Sequence, residues 1–429
     1  MLATTIASAL LLMLSFCTAA PAVSAGTDRE GKEHLLRRFE EMRKRRVPRG
    51  GVLDANVRSV AIDAVQRKAP SKLDVDVLAE QPQWTVLGPR STAGRIKSIV
   101  CDPTRSNVIY IGAASGGVWK STDGGLSWTP IMDDANAIAM GALCIAPDDP
   151  NTIYAGTGEQ VVGANIYLGG GLMRSTDQGA SWSVVGLTSV GSFSRVIIPP
   201  SSPSTIIAAG MNEQAGVWKS LDKGLTWQRL YQGQIYDLTM HATDPNSMFI
   251  AVPDSGIMST TDGGTTWQRR MSGLVGSVGR ASVQQATTDP NILYTLMEMN
   301  SLALIAKSTD KGLTWRIQYQ DLQGCFFSGA CVPKSSQGFY DNCLAIDPRN
   351  ADHVIAGGID LFMTRDGGST WINTTDGYSD GDGNGHPHVD QHCVAFDPLD
   401  PEVVYVGNDG GMMRSADGGS TYQPINNGL

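Results

Sequence analysis

Ser121-Thr122-Asp123-Gly124-Gly125-Leu126-Ser127-Trp128 is the stretch that decides the fold. It returns as Ser175-Thr176-Asp177-Gln178-Gly179-Ala180-Ser181-Trp182, and again over 220–227, 260–267, 308–315, 364–371 and 415–422. The shared form is Ser/Thr-x-Asp-x-Gly-x-Ser/Thr-aromatic. One match would say little, but seven in register, 40 to 56 residues apart, mark a repeat protein. The local chemistry explains the pattern. An Asp side chain accepts hydrogen bonds from backbone N–H groups of its own turn. A Gly two positions on admits a backbone conformation that a Cβ would penalise. The hydroxyl closes the turn, and the aromatic starts the next strand and packs between layers. The seven Asp residues therefore read as structural staples.

Working outward, an Asp-Pro turn and a β-rich run usually precede the box. Examples are Asp102-Pro103 with Val108–Ile111, Asp149-Pro150 with Ile153-Tyr154, and Asp397-Pro398 with Val403–Val406. A further apolar strand lies before each such turn, as at Ile96–Val100. Four short antiparallel strands per ~50 residues make a propeller blade. A β-helix has shorter rungs, and a helical solenoid needs a 3.6-residue period. The fold class expected is all-β, a seven-bladed propeller over 84–429. Trp84–Leu87 is an extra strand that could close the ring on the last blade. The stop after the seventh box fits a natural end and a longer protein alike.

Composition agrees. Of 429 residues 49 are Gly, without a collagen period, and 41 % are hydrophobic. Such a chain can fill a large core. The net charge of −9 excludes a generally basic nucleic-acid binder. Residues 26–80 stand apart, with 13 basic and 10 acidic side chains and a helical stripe of Leu35, Leu36, Phe39 and Met42. They read as a charged, partly helical N-terminal segment. Residues 6–20 form an apolar run too short to span a bilayer. Val23-Ser24-Ala25 follows with the small-x-small form of a cleavage site, so 1–25 reads as a signal peptide. A secreted or periplasmic, monomeric protein with no transmembrane helix in its mature chain is expected. Export permits disulfides, and Cys325 with Cys331, flanking a short loop, is the expected pair.

At the boxes the sequence resembles the Asp-box, or bacterial neuraminidase repeat, propellers. These include sialidases, xyloglucanase-type hydrolases, the photosystem II assembly factor and sortilin-type receptor domains. The likeness is nearest to exported bacterial repeat proteins described as sortilin-like or glycosyl hydrolase-like. It is carried by Trp84–Arg95, Gly156–Glu159, Gln337–Asp341, His388–His392 and Gly407–Gly411. The resemblance implies a propeller and leaves the activity open. Gly94-Arg95-Ile96-Lys97 lacks the Pro of the sialidase motif, and Thr122-Asp123 of the first box only superficially matches the xyloglucanase setting.

Propeller ligands usually sit over the central channel. Aligning blades on their Asp-Pro turns puts Arg95, Asp237, Tyr340 and Asp390 at one rim position, with Asp341 beside Tyr340. The densest chemistry lies near blade seven. Asp380-Gly381-Asp382-Gly383-Asn384-Gly385 matches the first half of a calcium loop, though its twelfth position is Gln391. Calcium, or a loop that is merely acidic, are both open. His386, His388, Asp390 and His392 alternate, and in a strand would share a face, as metal ligands or as a polar rim. Asn408 and Asp409 follow one strand later. The leading expectation is a binding or scaffold module for an extracellular glycan or protein, with no catalytic constellation. The alternative is a glycoside hydrolase, sialidase-like or xyloglucanase-like, for which Asp237, Asp341 and Asp390 are the carboxylates to test.

Overall fold

The computed structural model describes residues 92–160, 167–241, 243–328, 337–377 and 387–429. The expected leader, the 26–80 segment, the Trp84–Leu87 strand, Asp380, Asp382, Asn384, His386 and Cys331 lie outside the described residues. Seven four-stranded antiparallel sheets follow one another along the chain, each with its strands in sequential order. The innermost strands are Ile96–Cys101, Met140–Ala146, Ser192–Ile197, Asp237–Met240, Val278–Gln285, Cys343–Asp347 and Gln391–Phe396. This is the seven-bladed propeller that the repeats predict, and no helix occurs among the described residues.

Each box closes the hairpin between the third and fourth strands of a blade. In the first, Ser121 Oγ donates to Asp123 Oδ1 at 2.7 Å and accepts from Gly125 N at 2.8 Å. Asp123 also accepts from Ser127 N at 2.9 Å and Ser127 Oγ at 2.6 Å. Gly125 sits at φ +92°, which is why the motif needs glycine there. Asp177, Asp222, Asp262, Asp310, Asp366 and Asp417 repeat the bonds. The aromatic reaches the preceding blade. Trp182 Nε1 donates to Ile131 O at 2.7 Å and Trp315 Nε1 to Arg270 O at 2.9 Å.

The core is a set of seven apolar layers, one between each pair of neighbouring blades. Each large aliphatic side chain fully buried there contributes about 1.5–3 kcal/mol. The layer between blades seven and one joins Ile96, Ile109 and Ile111 to Tyr405, Met412 and Ile425, and so closes the ring. Trp128 Nε1 donates to Ile425 O at 2.7 Å and Ala93 N to Gly410 O at 2.7 Å across the same seam. A Cβ on Gly407 would stand 2.8 Å from Ile96 Cγ2, so only glycine lets the two blades approach this closely. No helix among the described residues is long and apolar enough to cross a membrane.

Candidate active site

In an antiparallel blade the start of the innermost strand lies beside the end of the second. Gln391 pairs with Asn408 in this way. The rim at that end gathers Arg95 and Lys97 from blade one, Glu159 from the end of blade two's second strand, and Tyr340 and Asp341 from the turn before blade six. Blade seven adds Asp390, His392 and Asp409.

Arg95 is the hub. Its Nη1 donates to the Tyr340 hydroxyl, its Nε lies 2.9 Å from Glu159 Oε1, and its guanidinium carbon stands 5.5 Å from the Tyr340 ring centre. The Tyr340 hydroxyl donates to Asp409 Oδ2 at 2.7 Å. His392 Nε2 lies 2.7 Å from Asp409 Oδ1, and its Nδ1 is 3.2 Å from Lys97 Nζ. Burial, then the charge of Lys97, pulls the His392 pKa down to about 3. The ring is therefore neutral, its Nε2–H donates to Asp409, and its Nδ1 accepts from Lys97. Burial, then the charge of Arg280, lowers Lys97 to about 7. Burial pushes Asp409 up, but hydrogen bonds from His392 and Tyr340 and the charge of Arg95 outweigh it, and its carboxyl stays below the ordinary range. Burial lifts Glu159 above that range, against the pull of Lys97 and Arg95.

A second pair of carboxyls shares one amide. Gln337 Nε2 donates to Asp390 Oδ1 at 2.7 Å and lies 3.5 Å from Asp341 Oδ2. Tyr340 N and Asp341 N both donate to Gln337 O, at 2.7 and 3.2 Å, so one short turn places all three side chains. Asp341 is fully buried, and its Oδ1 has no partner. Burial, then Asp390, drives its pKa well above the carboxylate range. Burial, then the charge of Asp409, raises Asp390 to about 6. The rim thus carries two half-buried carboxyls displaced in opposite directions, Asp390 above the ordinary carboxylate range and Asp409 below it.

Other expected residues fall elsewhere. Over the described 388–392 the alternation breaks because Asp390 has φ +68° and the strand begins at Gln391. His388 is exposed, with Nδ1 3.0 Å from Val389 O, while His392 turns inward, so the two do not share a face. Among the described residues no group of three His, Cys, Asp or Glu side chains is placed to hold a metal. Asn408 is buried and accepts from Gly410 N at 3.0 Å. Asp237 is spent within blades three to five. Its Oδ1 accepts from Arg195 Nε at 2.6 Å and Leu238 N at 2.9 Å, and its Oδ2 from Val283 N at 2.9 Å. Cys325 is disulfide-bonded, whereas Cys101, Cys144, Cys343 and Cys393 are free. Lys97, Glu159 and Gln337 gained no role from the sequence, although each lies within or beside a quoted motif.

No family model matches the chain. It is 24 % identical over 364 residues to the xyloglucanase Xgh74A of Acetivibrio thermocellus, covering 77 % of this chain and 38 % of that one. It is 27 % identical over 151 residues to a xyloglucanase of Hypocrea jecorina, covering 32 % and 18 %. The chain thus spans well under half the length of these relatives. Among solved structures it resembles the GH74 enzyme of Niastella koreensis, with a TM-score of 0.61 and 20 % identity over 79 % of this chain and 55 % of that one. It also resembles YCF48 bound to D1 peptide, with a TM-score of 0.51 and 17 % identity over 76 % and 94 %. At these identities the solved structures speak for the propeller fold. The curated relatives correct one expectation. They are hydrolases by name, so the binding or scaffold module without catalysis gives way to the glycoside-hydrolase alternative.

Proposed function

We propose that the rim over blades one, two, six and seven is the hydrolytic site of a glycoside hydrolase acting on a polysaccharide of the xyloglucan class. The observation that carries this reading is the contrast between two half-buried carboxyls on one rim. Asp390 is held by a single amide donor, and Asp409 is fixed by Tyr340, His392 and Arg95. Glycoside hydrolysis needs one carboxyl to protonate the leaving oxygen and one carboxylate to activate water or attack the sugar. Environments that push two such groups apart assign the roles. Asp390, protonated to about pH 6, is the acid. Asp409, ionised, is the base or nucleophile. Asp341 stays protonated beneath Asp390, and Gln337 orients both. The xyloglucan class is taken from the relatives' names, and the apolar leader-like run at residues 6–20 supports work outside the cytoplasm.

The experiment is to incubate the purified protein with xyloglucan, unsubstituted β-glucan and a sialylated glycan, and to follow new reducing ends. Release from xyloglucan above the other two supports the proposal, and proton NMR of the first product then reads whether configuration is retained or inverted. A folded protein that releases nothing from any of the three defeats it.

A further inference from the structure

One exposed imidazole beside the two rim carboxyls has no part in the proposed hydrolysis. His388 stands two residues before Asp390, near enough for its positive charge to favour the ionised Asp390. Its backbone is held from below. The buried Gln391 amide donates to His388 O at 2.6 Å and to Ile359 O at 3.1 Å, and Asp390 N donates to Ile359 O at 3.2 Å. Its ring rests on Gly410, the chain neighbour of Asp409. A Cβ on Gly410 would stand 2.5 Å from His388 Cβ, 2.7 Å from Cγ and 2.9 Å from Cδ2. His388 Nδ1 lies 3.0 Å from Val389 O. A carbonyl can only accept, so in the neutral ring Nδ1 carries the hydrogen and Nε2 the lone pair. Among the described residues no donor meets that Nε2. An acceptor fixed in one tautomer, on a backbone already tied down, loses little freedom when a ligand's hydroxyl reaches it.

We propose that His388 is a substrate-recognition residue, whose Nε2 accepts a hydrogen bond from a hydroxyl of the sugar bound beside Asp390. The identity of that ligand, a neutral glycan, rests on the hydrolytic reading of the rim. Gln391 sets where the backbone of His388 stands, Val389 O sets which ring nitrogen offers the lone pair, and Gly410 leaves room for the ring next to Asp409.

The test is isothermal titration calorimetry of a xyloglucan oligosaccharide into the full chain at pH 8. There Asp390, with its pKa at about 6, has lost the proton that cleavage needs, so binding is read without turnover. His388→Phe keeps a planar ring over Gly410 and removes the lone pair, and affinity should fall roughly three- to tenfold, the worth of one neutral hydrogen bond. His388→Gln, whose side-chain oxygen can stand in for Nε2, should recover most of that loss. Gly410→Ala leaves residue 388 intact but displaces its ring, and should weaken binding to a similar degree. It keeps the test decisive should a substitution at 388 disturb the turn. Wild-type affinity in folded His388→Phe or Gly410→Ala, a Gln variant no better than the Phe one, or no saturable binding by the wild type overturns the proposal. Hydrolysis of xyloglucan with binding indifferent to His388 defeats this inference alone. Binding that depends on His388 without release of reducing ends defeats the hydrolytic reading alone.

Discussion

The seven boxes and the channel rim use the same residue type in opposite ways. Every box aspartate has a hydroxyl donor on each oxygen and backbone N–H groups besides, so nothing is left over. Those bonds, led by the hydroxyl of Thr226 in the third box and of Ser181 in the second, hold Asp222 and Asp177 at about 2. The rim aspartates share no common partner set. Asp341 has an oxygen with no donor, Asp390 has one amide, and Asp409 has a phenol and an imidazole. Sevenfold repetition marks the aspartates that build the ring. Departure from repetition marks those with chemistry still to offer.

The sharpest way to break this contrast is to remove one carboxylate from each region. Asp390→Asn deletes the proposed acid, and kcat on xyloglucan should fall by roughly 10²–10⁴-fold. Tm should hold or rise, because a carboxyl that burial already penalises is gone. Activity within a few-fold of wild type in steady-state assays would return Asp390 to mere strand-end polarity. The pH profile sharpens the same point. A protonated Asp390 predicts that kcat/KM declines as pH rises through about 6. Asp409, held low, predicts an acid limb well below that. In Gln337→Leu the amide that favours ionised Asp390 is lost, so the upper limb should move to higher pH, by less than about one unit. A limb that stays fixed would detach Gln337 from Asp390. The smallest effect belongs to the box. Asp222→Ala should lower Tm by a few degrees in a thermal melt and leave kcat/KM unchanged. The folded pKa of Asp222 is depressed, so its stabilising share is present above the ordinary carboxylate pKa and is lost only as pH falls through about 2. The gap between wild type and variant should therefore close in strong acid.

The ring was legible because its information is local. A Ser or Thr, an Asp and a Gly within five residues close each box whatever the rest of the chain does, and the period counts the blades. The rim was legible in part. Arg95 and Asp390 surfaced through the Asp-Pro alignment, and Asp409 because it follows the blade-seven strand. Tyr340 and His392 surfaced too, but which of these residues meet did not, for a physical reason. The Arg95–Tyr340 and Lys97–His392 contacts join residues 245 and 295 positions apart, and only ring closure brings them together. Arg280 carries no sequence signal at all, since it sits mid-strand in blade five and acts through backbone carbonyls of the turn before blade six. Alternation misled over 388–392 because one left-handed residue, Asp390, ends the regular period just before the strand begins.

The apolar layer joining blades seven and one lies under the line where Arg95 meets Tyr340 and Asp409. It works as the keystone of an arch whose crown is the proposed catalytic rim. Thinning that layer at Met412, which touches none of the rim side chains through a hydrogen bond or ion pair, would widen the mouth between blade one and blade seven. An evolving lineage could retune the rim from below, by trading one buried methyl for another at a position outside it.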